Sequence, residues 1–321
     1  LLWGAICGTL PDLDVFIPFG DAVRDFTYHR GFSHSLFVLA ALTPLVVWLI
    51  LKVHPKTRQE WRGWFALVYL VFATHVLLDS FTVYGTQIFW PLPVAPVGWS
   101  TMFIIDPLYT APLLAGVIAA LIVGRKSNKG WAINLTGLAL SSLYLAWSVG
   151  AKWHVEAVAH ASLQRQGIQY ERLLTTPTPF NTLLWRVVAM DGDGYYEGFY
   201  SVFDEEHELS VTRYPSDSGL LNGIADEWAV QRLQWFTKGF YAVAREGRVI
   251  VITDLRMGLE PNYVFRFKVA EIGNPHAVAT VPERVFSPRG VERLRWVWER
   301  IWEPTAVETS ANRERMFAEA I

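Results

Sequence analysis

Residues 29–51 read H-R-G-F-S-H-S-L-F-V-L-A-A-L-T-P-L-V-V-W-L-I-L, and residues 63–81 read G-W-F-A-L-V-Y-L-V-F-A-T-H-V-L-L-D-S-F. Each holds an apolar run close to the roughly 20 residues a helix needs to cross a bilayer. Each also carries ionisable groups at one end: His29, Arg30 and His34 ahead of the first run, His75 and Asp79 late in the second. Two uncharged runs follow, and spans are therefore expected over Phe32–Leu51, Gly63–Phe81, Pro107–Gly124 and Trp131–Ala151. Leu1–Leu10 is apolar but too short to span. A chain that begins there without Met reads as one lacking its natural start.

Composition agrees. The 321 residues suffice for about two domains. Apolar residues make up 52% and charged residues only 18%, against roughly a quarter charged in soluble proteins. Fifteen Trp and a mean hydropathy of +0.22 point the same way. A net charge of −2 without a basic tract speaks against nucleic acid as a partner. The lone Cys7 excludes an internal disulfide framework and a cysteine-based zinc site. The apolar character ends near Lys152, which gives a membrane domain over residues 1–151 and a soluble domain over 152–321.

Charge sets the expected orientation. The loop between the first two spans holds Lys52, Lys56, Arg58 and Arg62, and the loop between the last two holds Arg125, Lys126 and Lys129. The connection Thr82–Asp106 has no Lys or Arg. Basic loops stay cytoplasmic, so residues 11–31, 82–106 and the C-terminal domain are expected on the periplasmic side. Trp61, Trp64 and Trp131 mark the basic ends of the spans, and Trp90, Trp99, Trp147 and Trp153 the opposite ends.

Every ionisable group that interrupts the apolar region maps to that opposite layer. Asp12 and Asp14 lie in P-D-L-D, His29 and His34 in H-R-G-F-S-H-S, His75 and Asp79 in H-V-L-L-D, and Asp106 in I-I-D-P. His75 and Asp79, four residues apart, share a helical face. Gly31 allows a sharp turn, and Ser33 is expected to cap the first span with His34 in its first turn. Imidazole and carboxylate together bind zinc, manganese or iron. These imidazoles and up to four Asp exceed the needs of one tetrahedral zinc, so one or two divalent ions are expected. Arg30 is placed to hold an anionic group such as a phosphate. Ionisable groups inside a span are functional by default. Taken singly, H-x-x-x-D is more often a hydrogen-bonded pair than a ligand pair, P-D-L-D is more often a turn, and Asp106 before Pro107 is an ordinary helix cap. Asp21 and Asp25 rank second.

The ordered set P-D-L-D, H-R-G-F-S-H-S, H-V-L-L-D-S-F-T-V-Y-G-T and F-I-I-D-P-L-Y resembles the YdjM-like inner-membrane metal-dependent hydrolases, over about residues 3–125. The resemblance implies a multi-helix inner-membrane domain and a metal-dependent hydrolase whose motif falls on Asp12, Asp14, His29, His34, His75, Asp79 and Asp106. It also implies that Thr82, Tyr84, Gly85 and Thr86 shape the pocket. The family often has Thr where this chain has Ser33, and its D-x-x-T-H/Q element near the N-terminus is absent from the sequence.

The C-terminal half reads as α+β. A helix continues over 152–175. Strand pairs are expected at Leu184–Met190 with Tyr195–Phe203, around an Asp191–Gly194 turn, and at Phe240–Arg245 with Arg248–Leu255. A further strand is expected at Tyr263–Glu271, with helices at Leu221–Phe236 and Pro288–Trp302 and a helical or loose tail from Glu303. No nucleophile elbow or phosphate loop is present, so this part reads as a cap or partner-binding module.

The expected fold is thus an α-helical multi-pass membrane domain followed by a soluble α+β domain. The expected function is a membrane-bound metal-dependent hydrolase, with His29, Arg30 and Asp79 catalytic and a metal-activated water attacking an ester or phosphoester, lipid-linked or a membrane lipid. Two rivals share the residues: a scaffold or sensor with a structural metal, and a transporter using His75 and Asp79 as a proton relay. The relay is disfavoured because such groups usually sit at the midplane.

Overall fold

A computed structural model of the protein describes residues 2–124, 127–274, 276–287 and 292–304. Arg125 and Lys126 of the second basic loop, the start of the expected helix at Pro288, and the tail beyond residue 304 lie outside the described residues. The chain forms two compact units, and they do not follow a boundary at Lys152. One comprises Leu1–Ser100, Gly192–Tyr195 and Tyr214–Ser287; the other comprises Thr101–Asp191, Tyr196–Arg213 and the described segment 292–304. A change in composition therefore does not mark a change of unit, because the sheet-rich half contributes strands to both.

In the first unit, α1 (Leu2–Thr9) leads into a 3-10 turn, Pro11–Phe16, and then α2 (Ala22–Tyr28). A second 3-10 turn, Phe32–His34, precedes α3 (Leu36–Val53), which is followed by α4 (Trp61–Ser80). Ser35, not Ser33, caps α3 by accepting from the Val38 amide. The extra 3-10 turn delays the helix, which leaves the Ser33 and His34 side chains free for other partners. α1, α3 and α4 bury Cys7, Leu39, Val47, Ile50, Val68, Phe72 and Val76 against one another. Their other faces expose Phe37, Leu45, Trp48, Leu49, Leu67, Leu70 and Leu77, an apolar surface suited to lipid.

The sheet-rich part of this unit holds α7 (Trp228–Phe236) and an antiparallel sheet of order β10-β9-β6-β5. Its strands are β5 (Tyr241–Glu246), β6 (Val249–Asp254), β9 (Arg266–Glu271) and β10 (Val278–Arg284). A short ladder pairs β7 (Gly258–Leu259) with β8 (Asn262–Tyr263). The expected Phe240–Leu255 hairpin is present, with Tyr241 opposite Asp254 and Glu246 opposite Val249. α7 and the sheet share one core with Val23 and Phe26 of α2 and with Tyr84. The long connection after α4 and the helix before the site are thereby fastened to the β-rich lobe.

The second unit starts with α5 (Pro107–Val123), capped by Asp106 and stopped by Gly124 at φ +105°. At 17 residues it is shorter than the other apolar helices. Among the described residues, three helical stretches, Leu36–Val53, Pro55–Ser80 and Asn128–Arg165, are long and apolar enough to cross a membrane, where four spans were expected. α6 (Asn128–Arg165) runs 38 residues without a break. Its first part packs on α5 through Gly116, Gly130 and Gly137, where backbones approach too closely for side chains. Its last turns bury Val155, Val158 and Ala159 against Trp185, Val187, Tyr200 and Leu209. That surface belongs to a sheet of order β1-β2-β3-β4: β1 (Arg172–Pro177), β2 (Leu184–Met190), β3 (Gly194–Ser201) and β4 (Val211–Pro215). α8 (Glu292–Trp302) completes the unit, with Val297 and Ile301 packed on Leu184. The architecture is a helical N-terminal region followed by a sheet-rich C-terminal region.

Candidate metal centre

The four motifs of the first unit converge. His34 sits at the end of the 3-10 turn before α3, and His75 and Asp79 lie on the last turns of α4. Because α3 and α4 pack as a hairpin, the start of one meets the end of the other. Asp12 comes from the Pro11–Phe16 turn after α1, which packs on α4.

His34 Nε2 lies 3.3 Å from Asp12 Oδ1 and 3.2 Å from Asp79 Oδ2. His75 Nε2 lies 3.5 Å from each of the same two oxygens. The two Nε2 atoms are 3.4 Å apart, and all four atoms fall within 4.8 Å of one another. Ligands held about 2.0–2.2 Å from a tetrahedral zinc stand about 3.3–3.6 Å from each other. Five of the six edges of such a tetrahedron are therefore present. Asp79 Oδ2 is buried and makes no hydrogen bond, as suits a lone pair held for a cation. An N2O2 donor set of this kind fits zinc, and it is the one such group among the described residues.

Asp14 does not join this group. Its Oδ1 pairs with His29 Nδ1 at 2.7 Å, and its Oδ2 accepts from the Arg30 amide at 3.0 Å and from the Ser33 hydroxyl. Burial acts to raise the Asp14 carboxyl, but the hydrogen bonds from His29 and Ser33 outweigh it and hold it below its usual value. Ser33 Oγ lies 2.9 Å from His34 Nδ1. With its own proton on Asp14, Ser33 accepts from Nδ1–H, and the network assigns the His34 tautomer whose Nε2 lone pair faces Asp12, His75 and Asp79.

Arg30 is buried in the left-handed conformation, with φ +57°. This backbone state costs a non-glycine residue about 1–2 kcal/mol, and here the Asp14 carboxylate on the Arg30 amide holds it in place. Gly31 is needed for space rather than φ, since a Cβ there would stand 2.6 Å from the Tyr28 carbonyl oxygen. Arg30 Nη2 contacts Asp79 Oδ1 at 3.1 Å, Nη1 donates to Thr82 Oγ1 at 3.1 Å, and Nε is buried without a partner. In the Y-G-T segment, Thr82 also donates to the Asp79 carbonyl and Tyr84 donates to the Phe26 carbonyl.

Other candidates have local roles. Asp106 belongs to the second unit and lies outside the four-residue group. Its Oδ1 accepts from the Leu108 amide and its Oδ2 from the Tyr144 hydroxyl. Asp21 caps α2, and Asp25 accepts from the Phe19 amide. His54, at the far end of α3, accepts from the Trp3 indole. His154 and His207 share the Tyr200 hydroxyl, and His160 pairs with Tyr170. Spacing does not reveal Arg232 of α7. Its Nε donates to Thr27 Oγ1, and its Nη2 donates to the Thr27 carbonyl and to Gln87 Oε1. The Gln87 amide in turn donates to the Arg30 carbonyl. Those partners lie 145 to 205 residues away in sequence, beyond any motif.

Apolar helices that end on a His/Asp cluster, buried at His34 and open at Asp12, define a membrane-associated protein with a candidate metal centre. Residues 1–155 match the model of the family described as YdjM inner membrane protein. The matched region contains every candidate residue named above from Asp12 to Asp106. No curated protein and no solved structure matches the chain.

Proposed function

We propose that the protein is an inner-membrane, zinc-dependent phosphoester hydrolase whose site faces the periplasm. The observation that carries this reading is the tetrahedral spacing of Asp12 Oδ1, His34 Nε2, His75 Nε2 and Asp79 Oδ2. One ion fits these four; Asp14, His29 and Asp106 are otherwise engaged. When bound, the cation supplies an acidified water and positive charge for the phosphoryl oxygens.

The chain's own residues do the rest. Arg30, buried with a free Nε–H, binds the phosphate. His29 stands beside the group, its ring 6.1 Å from that of His34. Asp14 holds the His29 Nδ1–H, so Nε2 takes the proton of the attacking water and returns it to the leaving oxygen. The water oxygen bonds to phosphorus, the ester P–O bond breaks, and the alcohol departs with that proton. Periplasmic placement rests on Lys52, Lys56, Arg58 and Arg62 at the opposite ends of α3 and α4.

A second reading, a scaffold or sensor with a structural metal, is favoured by one observation: four protein ligands complete a zinc tetrahedron. Against it, the Asp12 side chain is 52% exposed, so the site opens on that side, and a structural site needs neither Arg30 nor His29. Zinc loading of the purified protein followed by a phosphoester panel separates the two. Turnover that disappears with a chelator and in His29→Gln supports the hydrolase. Stoichiometric zinc without turnover supports the scaffold, and absence of zinc overturns both. A cysteine placed at Lys56 in a Cys7→Ala background should resist an impermeant reagent on intact cells; reaction there reverses the orientation.

A further inference from the structure

The turn that supplies Asp12 and Asp14 is otherwise apolar. It buries Pro11 and Asp14 and turns Leu13, Val15, Phe16 and Ile17 outward, with Phe16 80% exposed. His34 has similar neighbours. Phe32 and Phe37 flank His34, and both are exposed. Trp90 lies beside Phe32, ring to ring 6.4 Å, and is half-exposed. A site built for a water-borne substrate is rimmed by polar groups, whereas this one is rimmed by large apolar side chains. The rim continues the apolar surface of α3 and α4 up to the level where both helices end, the level at which interfacial aromatic residues gather. Beneath it, Arg30 Nε–H is a buried donor without a partner.

We propose that the substrate is an acyl lipid with a phosphate in its headgroup. It reaches the site from within the leaflet, its chains against Leu13, Phe16, Phe32 and Phe37 and its phosphate on Arg30. This deepens the hydrolase reading and rests on it for the chemistry, though not for the lipid contact. Arg30 supplies the positive charge that the phosphate requires, and the exposed Asp12 side is where the headgroup enters. Chain contacts far from the reacting bond act as remote binding energy, so their loss is felt by long-chain substrates alone.

The test has two arms, both on the full chain in nanodiscs of phosphatidylethanolamine and phosphatidylglycerol. A spin label at Phe16→Cys, in a Cys7→Ala background, should be relaxed more by oxygen than by an aqueous nickel chelate. The reverse overturns the lipid-facing rim. In the second arm, Phe16→Ser should lower kcat/KM for dioleoyl phosphatidic acid by about tenfold and leave dihexanoyl phosphatidic acid within about twofold. Its zinc content should be unchanged, which certifies folding. Equal losses on both lipids overturn the proposal. If the wild type hydrolyses neither lipid while the label reports hydrocarbon, the hydrolase reading falls and the lipid-facing rim stands.

Discussion

His34 and His75, 41 residues apart in the chain, bring their Nε2 atoms within 3.4 Å of each other, and each also lies within 3.5 Å of Asp12 Oδ1 and Asp79 Oδ2. Two imidazole nitrogens and two carboxylate oxygens converge at one point, at the joined ends of the α3–α4 hairpin. The first expectation concerns that point. Either His34→Ala or His75→Ala should weaken zinc by more than about a hundredfold, beyond what loss of a supporting group costs. Competition against a chromophoric chelator measures it, and retention of zinc by both variants would rule out this centre.

Ser33 and Asp14 support the centre without touching it. Ser33→Ala removes the acceptor for His34 Nδ1–H and a donor to Asp14, and should weaken zinc about 10–100-fold while leaving its stoichiometry intact. The same titration reads it. An unchanged affinity would mean that the ring is oriented by packing alone.

Acid should expose the role of Asp14. Its carboxyl is held below the ordinary value, so the folded state favours the ionised form. The resulting stability is complete above the ordinary carboxylate pKa and is lost as pH falls through the depressed one. For metal-free protein, the Tm gap between wild type and Asp14→Asn should be constant from pH 7 to about 5 and close below about pH 4. A gap that widens in acid would contradict the assignment.

Arg232 fastens the β-rich lobe to the loop bearing His29 and Arg30. Arg232→Ala leaves the Thr27 carbonyl and Gln87 Oε1 without this donor and should cost about 1–3 kcal/mol in unfolding. Zinc affinity should fall as well, although the residue lies outside the four-ligand group. Lys should not restore it, because a single ammonium cannot span acceptors that the planar fork reaches together. Chemical denaturation and the zinc titration give the two readouts.

In the second unit, Gly137 of α6 meets the Pro112 carbonyl of α5, leaving no room for a side chain. Gly137→Leu should lower stability by about 1–3 kcal/mol or more. Gly150→Leu, at a position with open space, should stay within about 0.5 kcal/mol. Thermal unfolding of the two variants compares them directly.

Much of the site was legible because its chemistry is conspicuous against an apolar background. His75 and Asp79 within a span, and His34 and Asp12 at the same predicted layer, announce themselves by their solvation cost. Other parts were not legible. Spacing alone could not tell that Asp14 supports the centre while Asp12 enters it, since adjacent positions of a 3-10 turn face different ways. Nor could it tell that Asp106 caps α5. The Lys152 boundary followed composition, whereas the units follow packing, and the third apolar run forms its helix where expected, over Pro107–Val123, at 17 residues shorter than the other apolar helices.

The sequence by itself determined which segments are apolar and helical in the N-terminal region, where the two hairpins lie, and which side chains are too costly to bury without a purpose. Local periodicity and desolvation act along the chain, so they can be read along it. The tertiary structure decided which imidazoles and carboxylates share a centre, that Arg30 takes the left-handed backbone under Asp14, and that Arg232 reaches across from the far half of the chain. Those choices depend on distances between residues remote in sequence, which only the packing of α1, α2, α3, α4 and α7 fixes.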